Sequence, residues 1–201
     1  MPEAGRVITG SAKGTRLAAP GAGTRPLSDR VKQALFASLE AELGESWPAP
    51  FLDLFAGSGA AGIEAISRGA PRALFVEHDA DAARVIRDNL RRANLSGGDV
   101  WRRDALTVLA EGAAAAGGPF GAVVVDPPYA AASLLVSALE RLGEPRLGWL
   151  TPDAVVVAKH FWRDEPPSRC GDLIIERRRR FGETVLSYYR RVTDRHDMEV
   201  R

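Results

Sequence analysis

FLDLFAGSGAAGIEAISRGAPRALFVEHD, residues 51 to 79, decides the fold. FLDLF (51–55) has the apolar character of a short strand. The glycines behind it lead into a helical segment that stops at Gly69, and RALFVEHD (72–79) reads as a second strand. Strand, glycine loop, helix and strand make a βαβ unit, which belongs in a parallel sheet. Gly57, Gly59 and Gly62 stand in GxGxxG spacing, and Glu77 ends the second strand twenty residues after Gly57. Glycines let the backbone turn tightly against a ligand, and the acid can accept hydrogen bonds from both hydroxyls of a ribose. A nucleoside-containing cofactor is therefore expected.

Two such cofactors compete, a dinucleotide and S-adenosylmethionine. Asp53 lies in the strand just before the loop, where a pyrophosphate binder would gain nothing from a negative charge. A carboxylate there suits a zwitterion with ammonium and sulfonium centres. It can equally cap and order the glycine loop, which does not exclude the cofactor role. Asp104 ends VWRRD (100–104), the third strand, and has two equal readings: acceptor for an adenine amino group, or N-cap of the helix ALTVLAEG. Phe55, Ala56, Ser58, His78 and Ala105 flank these positions and complete the candidate cofactor set, which also includes Asp126.

The alternation continues outward. ADAARVIRDNLRRANL (80–95) places Val85, Ile86 and Leu90 near one helical face. GAVVVD (121–126) is a fourth strand, AASLLVSALERLG a helix ending at Gly143, and AVVVAKHF (154–161) a fifth strand. EPPSRCGD reads as a loop. LIIERRRRF and TVLSYYRR, separated by Gly182-Glu183, then form an antiparallel hairpin that closes the sheet. Upstream, 6–20 is a small hairpin or loop, and 28–43 is a helix with Ser28 as N-cap and Val31, Leu35 and Leu39 along one stripe. The expected organisation is a basic N-terminal arm, 1–27, and a main domain, 28–201.

The fourth strand stops on Asp126-Pro127-Pro128-Tyr129. In a doubly wound sheet, ligands sit at the carboxyl ends of the strands, so this loop would face the cofactor held by the first. An exocyclic amine of a nucleobase is a poor nucleophile, because its lone pair is delocalised into the ring. The Asp126 carboxylate and the Pro127 carbonyl can hold its two N–H groups and aim the nitrogen at a methyl carbon, and the prolines fix that carbonyl. Tyr129 offers a flat face for a base taken out of its stack.

Composition narrows the field. The 201 residues, 45% of them hydrophobic, suffice for one sizeable core. A single cysteine, Cys170, excludes an internal disulfide framework, and the scattered histidines 78, 160 and 196 give no metal-ligand spacing, so no metal is expected. No signal peptide or membrane span is read, and a cytoplasmic monomer is expected. Net charge is +1 yet segregated: residues 1–33 carry +4, 34–175 carry −6 and 176–201 carry +3. Basic flanks on an acidic body are either solvated surface or arms for a polyanion such as nucleic acid.

With DLFAGSGAAGIEAISRGA and the DPPY loop, the upstream RVITGSAKGTRL and RPLSDRVKQALF and the closing RRRRFGETVLSYY make the chain resemble the bacterial 16S rRNA guanine-N2 methyltransferases of the small ribosomal subunit, from about Arg6 to Arg190. DPPY alone would also fit amino-methyltransferases acting on other RNA, DNA adenine or protein glutamine. The resemblance implies an α/β, Rossmann-like methyltransferase. It would have a seven-stranded, mostly parallel sheet, helices on both faces and a small basic hairpin/helix extension. It implies S-adenosylmethionine as donor, S-adenosylhomocysteine as product, and 16S rRNA, within the small subunit or its assembly intermediate, as partner. By position, Asp126, Pro127, Pro128 and Tyr129 become the catalytic loop, and Lys13, Arg16, Arg25 and Arg30 the rRNA contacts. Similar sequences often carry a glutamate where this chain has Ala158-Lys159-His160, and no role is assigned to Lys159.

Overall fold

The computed structural model describes residues 3–21, 27–44 and 47–192. Strands β1 (Glu3–Arg6) and β2 (Arg16–Ala18) pair antiparallel in a two-stranded sheet, and helix α1 (Asp29–Leu43) follows. Ser28 caps α1 by accepting the Val31 N–H. The main sheet collects β3 (Phe51–Leu54), β4 (Ala73–Glu77), β5 (Gly98–Arg102), β6 (Phe120–Val125), β7 (Leu150–Phe161), β8 (Arg169–Cys170), β9 (Leu173–Phe181) and β10 (Thr184–Arg191). Helices α2 (Ala60–Ser67), α3 (Ala80–Arg92), α4 (Ala105–Glu111) and α5 (Ala132–Leu142) connect them.

Strand order is β5-β4-β3-β6-β7-β10-β9-β8. The first five are mutually parallel and the last three join antiparallel. The sheet thus has eight strands where seven are expected. The additional one, β8, lies inside the stretch read as a loop. It is two residues long and pairs with Leu173 and Ile174 across a tight turn at Gly171, whose φ is +56°. Two residues show no alternation, so only the pairing reveals the strand. β7 likewise starts at Leu150, four residues before the apolar run, because Thr151 and Asp153 are not buried.

Strand alternation splits the core into two layers. Phe51, Phe75, Val124 and Val157 face α1, α2, α3 and the N-terminal hairpin, while Leu52, Leu74, Val123 and Val156 face α4 and α5. Both faces are covered, which explains why the parallel strands read as continuous apolar runs. The expected stripe of Val31, Leu35 and Leu39 is the buried face of α1.

The N-terminal hairpin is fastened to this body by buried polar groups. Glu64 of α2, fully buried, accepts the backbone N–H groups of Ile8 (2.8 Å) and Thr9 (3.0 Å) and a hydrogen bond from Arg68 (2.8 Å). Lys32 of α1, also fully buried, lies 3.8 Å from Glu64 and donates to the Arg6 carbonyl. Asn89 of α3 accepts from the Ala18 N–H (2.8 Å) and donates to the carbonyls of Ala18 (2.9 Å) and Ser58 (3.0 Å). Ala4, Val7, Ala12 and Leu17 belong to the same core cluster as Phe51 and Phe75.

Because Glu64 compensates two buried cations, its removal should be costly. Glu64→Ala is expected to destabilise the fold by about 3–5 kcal/mol in urea unfolding, the range for breaking a buried pair from one side. A loss below about 1 kcal/mol would show that Glu64 does not anchor the hairpin.

Candidate active site

The carboxyl ends of β3 and β6 lie side by side, since Leu54 pairs with Val125. The loop after β3 carries the three glycines, and they serve different ends. A Cβ on Gly62 would sit 2.3 Å from the Phe75 ring, and one on Gly59 3.0 Å from Ile86, so both are demanded by packing. Gly57, at φ +54°, would meet nothing within 4 Å, so it serves backbone conformation and opens the loop to a ligand. Phe55 also has a positive φ of 60° and is half-buried, whereas Ala56 is buried and donates to the Val76 carbonyl.

Two acids hold this loop. Glu77 Oε2 accepts the Gly57 N–H (2.8 Å) and Oε1 the Asp79 N–H (2.9 Å). A carboxylate has about four acceptor sites, so this leaves capacity for two ribose hydroxyls beside an open glycine. The residues present therefore fit a nucleoside cofactor. Asp53 is almost fully buried, and its Oδ2 accepts the Gly62 N–H at 2.8 Å. Burial pushes its carboxyl well above the ordinary carboxylate range, against the opposing Gly62 N–H. Asp104 is the N-cap of α4, accepting from the Thr107 N–H (2.8 Å) and hydroxyl (2.9 Å); the backbone bond is the main reason its pKa is lowered. His78 is exposed with Nδ1 3.1 Å from Glu77, Ser58 gives its carbonyl to Asn89, and Ala105 is buried at the start of α4.

The loop after β6 is braced from the neighbouring strands. Val125 pairs with Ala158, so the next residues, Asp126 and Lys159, stand level, and Lys159 Nζ donates to Asp126 Oδ1 at 2.6 Å. Burial raises the Asp126 carboxyl above its ordinary value and the Lys159 ammonium opposes the rise. Tyr129 is fixed through its hydroxyl to Thr184 Oγ1 (2.8 Å), its ring lies 6.0 Å from Phe161, and Lys159 Nζ is 5.0 Å from its centroid. Pro127 is buried and Pro128 exposed.

Tyr129 and Lys159 face a cleft of about 440 Å³ between the start of α1 and the β9–β10 turn, with Arg30, Phe181 and Thr184 on its walls. Arg30 is thus the expected cation that reaches this cleft. Lys13 and Arg16 are exposed on the N-terminal hairpin, Arg16 paired with Glu3 at 2.8 Å; the turn carrying Lys13 is bonded to Ser67, at the far end of α2 from the glycine loop. Arg25 lies outside the described residues. Lys159 and Thr184 escape a motif search, although a lysine interrupting an apolar strand level with Asp126 is a signal in register. Among the described residues no cluster of three or more potential metal ligands occurs, and no helix is long and apolar enough to cross a membrane.

A Rossmann-like sheet with a glycine loop and a DPPY loop at adjoining strand ends defines the class of Rossmann-like methyltransferases. Solved structures agree. "Putative methyltransferase yhhF" of Escherichia coli superposes with a TM-score of 0.78 at 29% identity, covering 92% of this chain and 97% of that one. A methylase structure from Haemophilus influenzae reaches 0.76 at 26% identity, covering 96% and 100%. The chain belongs to the family described as "Conserved hypothetical protein 95", whose model matches residues 5–190. Among its relatives, "Putative rRNA methyltransferase YlbH" of Bacillus subtilis is 36% identical over 188 residues, covering 92% of this chain and 98% of the relative. "Ribosomal RNA small subunit methyltransferase D" of Escherichia coli K12 is 31% identical over 193 residues, covering 92% and 89%.

Asp53 offers a test of how the loop is ordered. With its folded pKa raised, its contribution to stability is complete below the ordinary carboxylate value and is lost as pH rises through the folded one. Asp53→Asn keeps an acceptor for Gly62 without the ionisation, so its stability relative to the parent should grow with pH across that window. Asp53→Ala should cost about 1–3 kcal/mol at the low-pH end, for a buried N–H left unpaired, and its deficit should shrink as pH rises through the same window. Chemical denaturation over a pH series checks both.

Proposed function

We propose that this chain transfers a methyl group from S-adenosylmethionine to the exocyclic N2 amine of a guanine in 16S rRNA. The observation that carries the reading is the DPPY loop beside the glycine loop, opening on a cleft walled by Tyr129, Arg30 and Phe181. The names of the relatives, an rRNA methyltransferase and a small-subunit rRNA methyltransferase, support an rRNA substrate. When bound, S-adenosylmethionine supplies an electrophilic methyl group on a sulfonium. Glu77 takes the ribose, Asp104 the adenine amine, and Gly57 with its neighbours Phe55, Ala56, Ser58 and Gly59 lines the approach. Asp53 and Gly62 order that loop, and His78 and Ala105 border it.

The target base stacks on Tyr129. Asp126 and the Pro127 carbonyl take its N2 hydrogens, so that the nitrogen lone pair points at the methyl carbon. With the sulfonium methyl held in line, Asp126 would orient the amine and would be placed to receive the surplus N2 proton, during or after transfer. Catalysis is by alignment and exclusion of water, with no covalent enzyme intermediate and no metal. Residues 1–27 act as a basic arm on the 28–201 catalytic unit. Arg30 contacts the RNA at the cleft, while Lys13 and Arg16 hold phosphates further out, as does Arg25. The substrate is the small subunit or its assembly intermediate, met by a monomer.

The test is transfer of labelled methyl to small subunits lacking the modification, with naked 16S rRNA, DNA and protein in parallel, followed by nucleoside analysis. N2-methylguanosine is expected; label in adenine or in protein amide instead would overturn the guanine assignment. Asp126→Ala should bind S-adenosylmethionine normally in calorimetry and lose about 100-fold or more in turnover; undiminished turnover would remove Asp126 from the mechanism. Neutralising Lys13 and Arg16 together should lower the salt dependence of RNA binding by about two phosphate contacts, and an unchanged slope would discard the arm.

A further inference from the structure

Lys159 is a buried cation that the proposed reaction does not use, and its environment is unusual. It sits at 8% exposure near the end of β7, whose preceding residues Val155, Val156, Val157 and Ala158 are fully buried. A lysine in such a place is costly unless its charge is matched and its donors engaged. Its ammonium meets one carboxylate oxygen, Asp126 Oδ1, at 2.6 Å, and the Tyr129 ring at 5.0 Å. Both partners belong to the loop assigned to hold the acceptor base. Asp126 Oδ2 accepts no hydrogen bond among the described residues.

We propose that Lys159 is the positioning residue of the acceptor site: by gripping Oδ1 it fixes the rotation of the Asp126 carboxylate and presents Oδ2 to the methyl-accepting amine, while steadying the face of Tyr129. The inference rests on the role given above to Asp126. Asp126 is half-buried and burial raises its carboxyl, so without a cation beside it the group would drift further towards its neutral form, which donates a proton and competes with the amine it should receive. The other charged groups around it do not supply this service. Asp53 on β3, the adjoining strand, is an acid and adds repulsion when ionised. His160, next along β7, is bonded to Ser187 of β10. Arg30 of α1 and Glu183 of the β9–β10 turn line the same cleft. Lys159 is the cation in contact.

The consequence is a defined pH behaviour. With Lys159 in place Asp126 loses its proton at lower pH than burial alone would allow, so removing the ammonium moves that ionisation upward. The experiment follows the Asp126 carboxyl by ¹³C NMR titration, assigned by the signal missing in Asp126→Asn, alongside the pH profile of turnover on small subunits. In Lys159→Met the carboxyl midpoint and the acid limb of turnover should both move to higher pH. Turnover at neutral pH should fall about tenfold to a hundredfold, with S-adenosylmethionine affinity unchanged. Lys159→Gln is the second variant should the methionine fail to fold, and Lys159→Arg should return the midpoint towards that of the parent. A carboxyl midpoint that stays put in Lys159→Met or Lys159→Gln overturns the proposal. Because the titration needs no substrate, it decides the role of Lys159 even if the parent labels no RNA, a result that would instead count against the proposed function.

Discussion

The parallel pairing of β3 with β6 is the constraint on which the rest depends. Strand neighbours are about 4.8 Å apart, and with Leu54 level with Val125 the glycine loop and the DPPY loop leave the sheet at one edge and at one height. No side chain could bring the glycine loop and the DPPY loop together so closely if their strands were not adjacent. The pairing demands that both sheet faces be covered, which five helices and the N-terminal hairpin accomplish, and it places β7 beside β6 so that Lys159 stands next to Asp126.

Polar groups buried within that frame act as fasteners rather than as generic surface. Glu64, Asn89 and Ser67 together bind the segment from Arg6 to Ala18 to α2 and α3, mostly through main-chain groups that would otherwise be unpaired. This matters for the site because Lys32 of α1 donates to the Arg6 carbonyl of the hairpin, and Arg30 and Val31 of the same helix help to line the cleft beside Tyr129. A hairpin that looks like an appendage in sequence is thereby coupled to the geometry of the acceptor side.

Most of the fold is legible in the sequence wherever a signal is local. The runs around 51–55, 72–79 and 121–126, the glycine loop and the β9–β10 hairpin each declare themselves within a few residues, and the structure places strands at the three runs and the hairpin and a turn at the loop. β8 is not legible, since two residues carry no period. The purpose of Gly59 and Gly62 is not legible either: spacing alone predicts approach to a ligand, while contact with Ile86 and Phe75 shows packing. Asp104 has two equal readings in sequence; its bonds to Thr107 show the helix cap, and the adenine contact belongs to the proposed function. The burial of Glu64 and the partner of Lys159 are not legible, because the groups they meet lie on elements distant in sequence.

The cleft joins residues 27 to 31 with 181 to 184, so it is assembled from opposite ends of the described chain around a central sheet. The glycine loop and its acids, by contrast, lie within residues 53 to 79. Contacts between distant segments bear the larger loop-closure cost and form late in folding. A chain still emerging during synthesis can therefore form the glycine loop and its acids while the cleft has no far wall. The order of the sequence itself delays the complete cleft until β10 has docked beside β7 and Thr184 has met Tyr129.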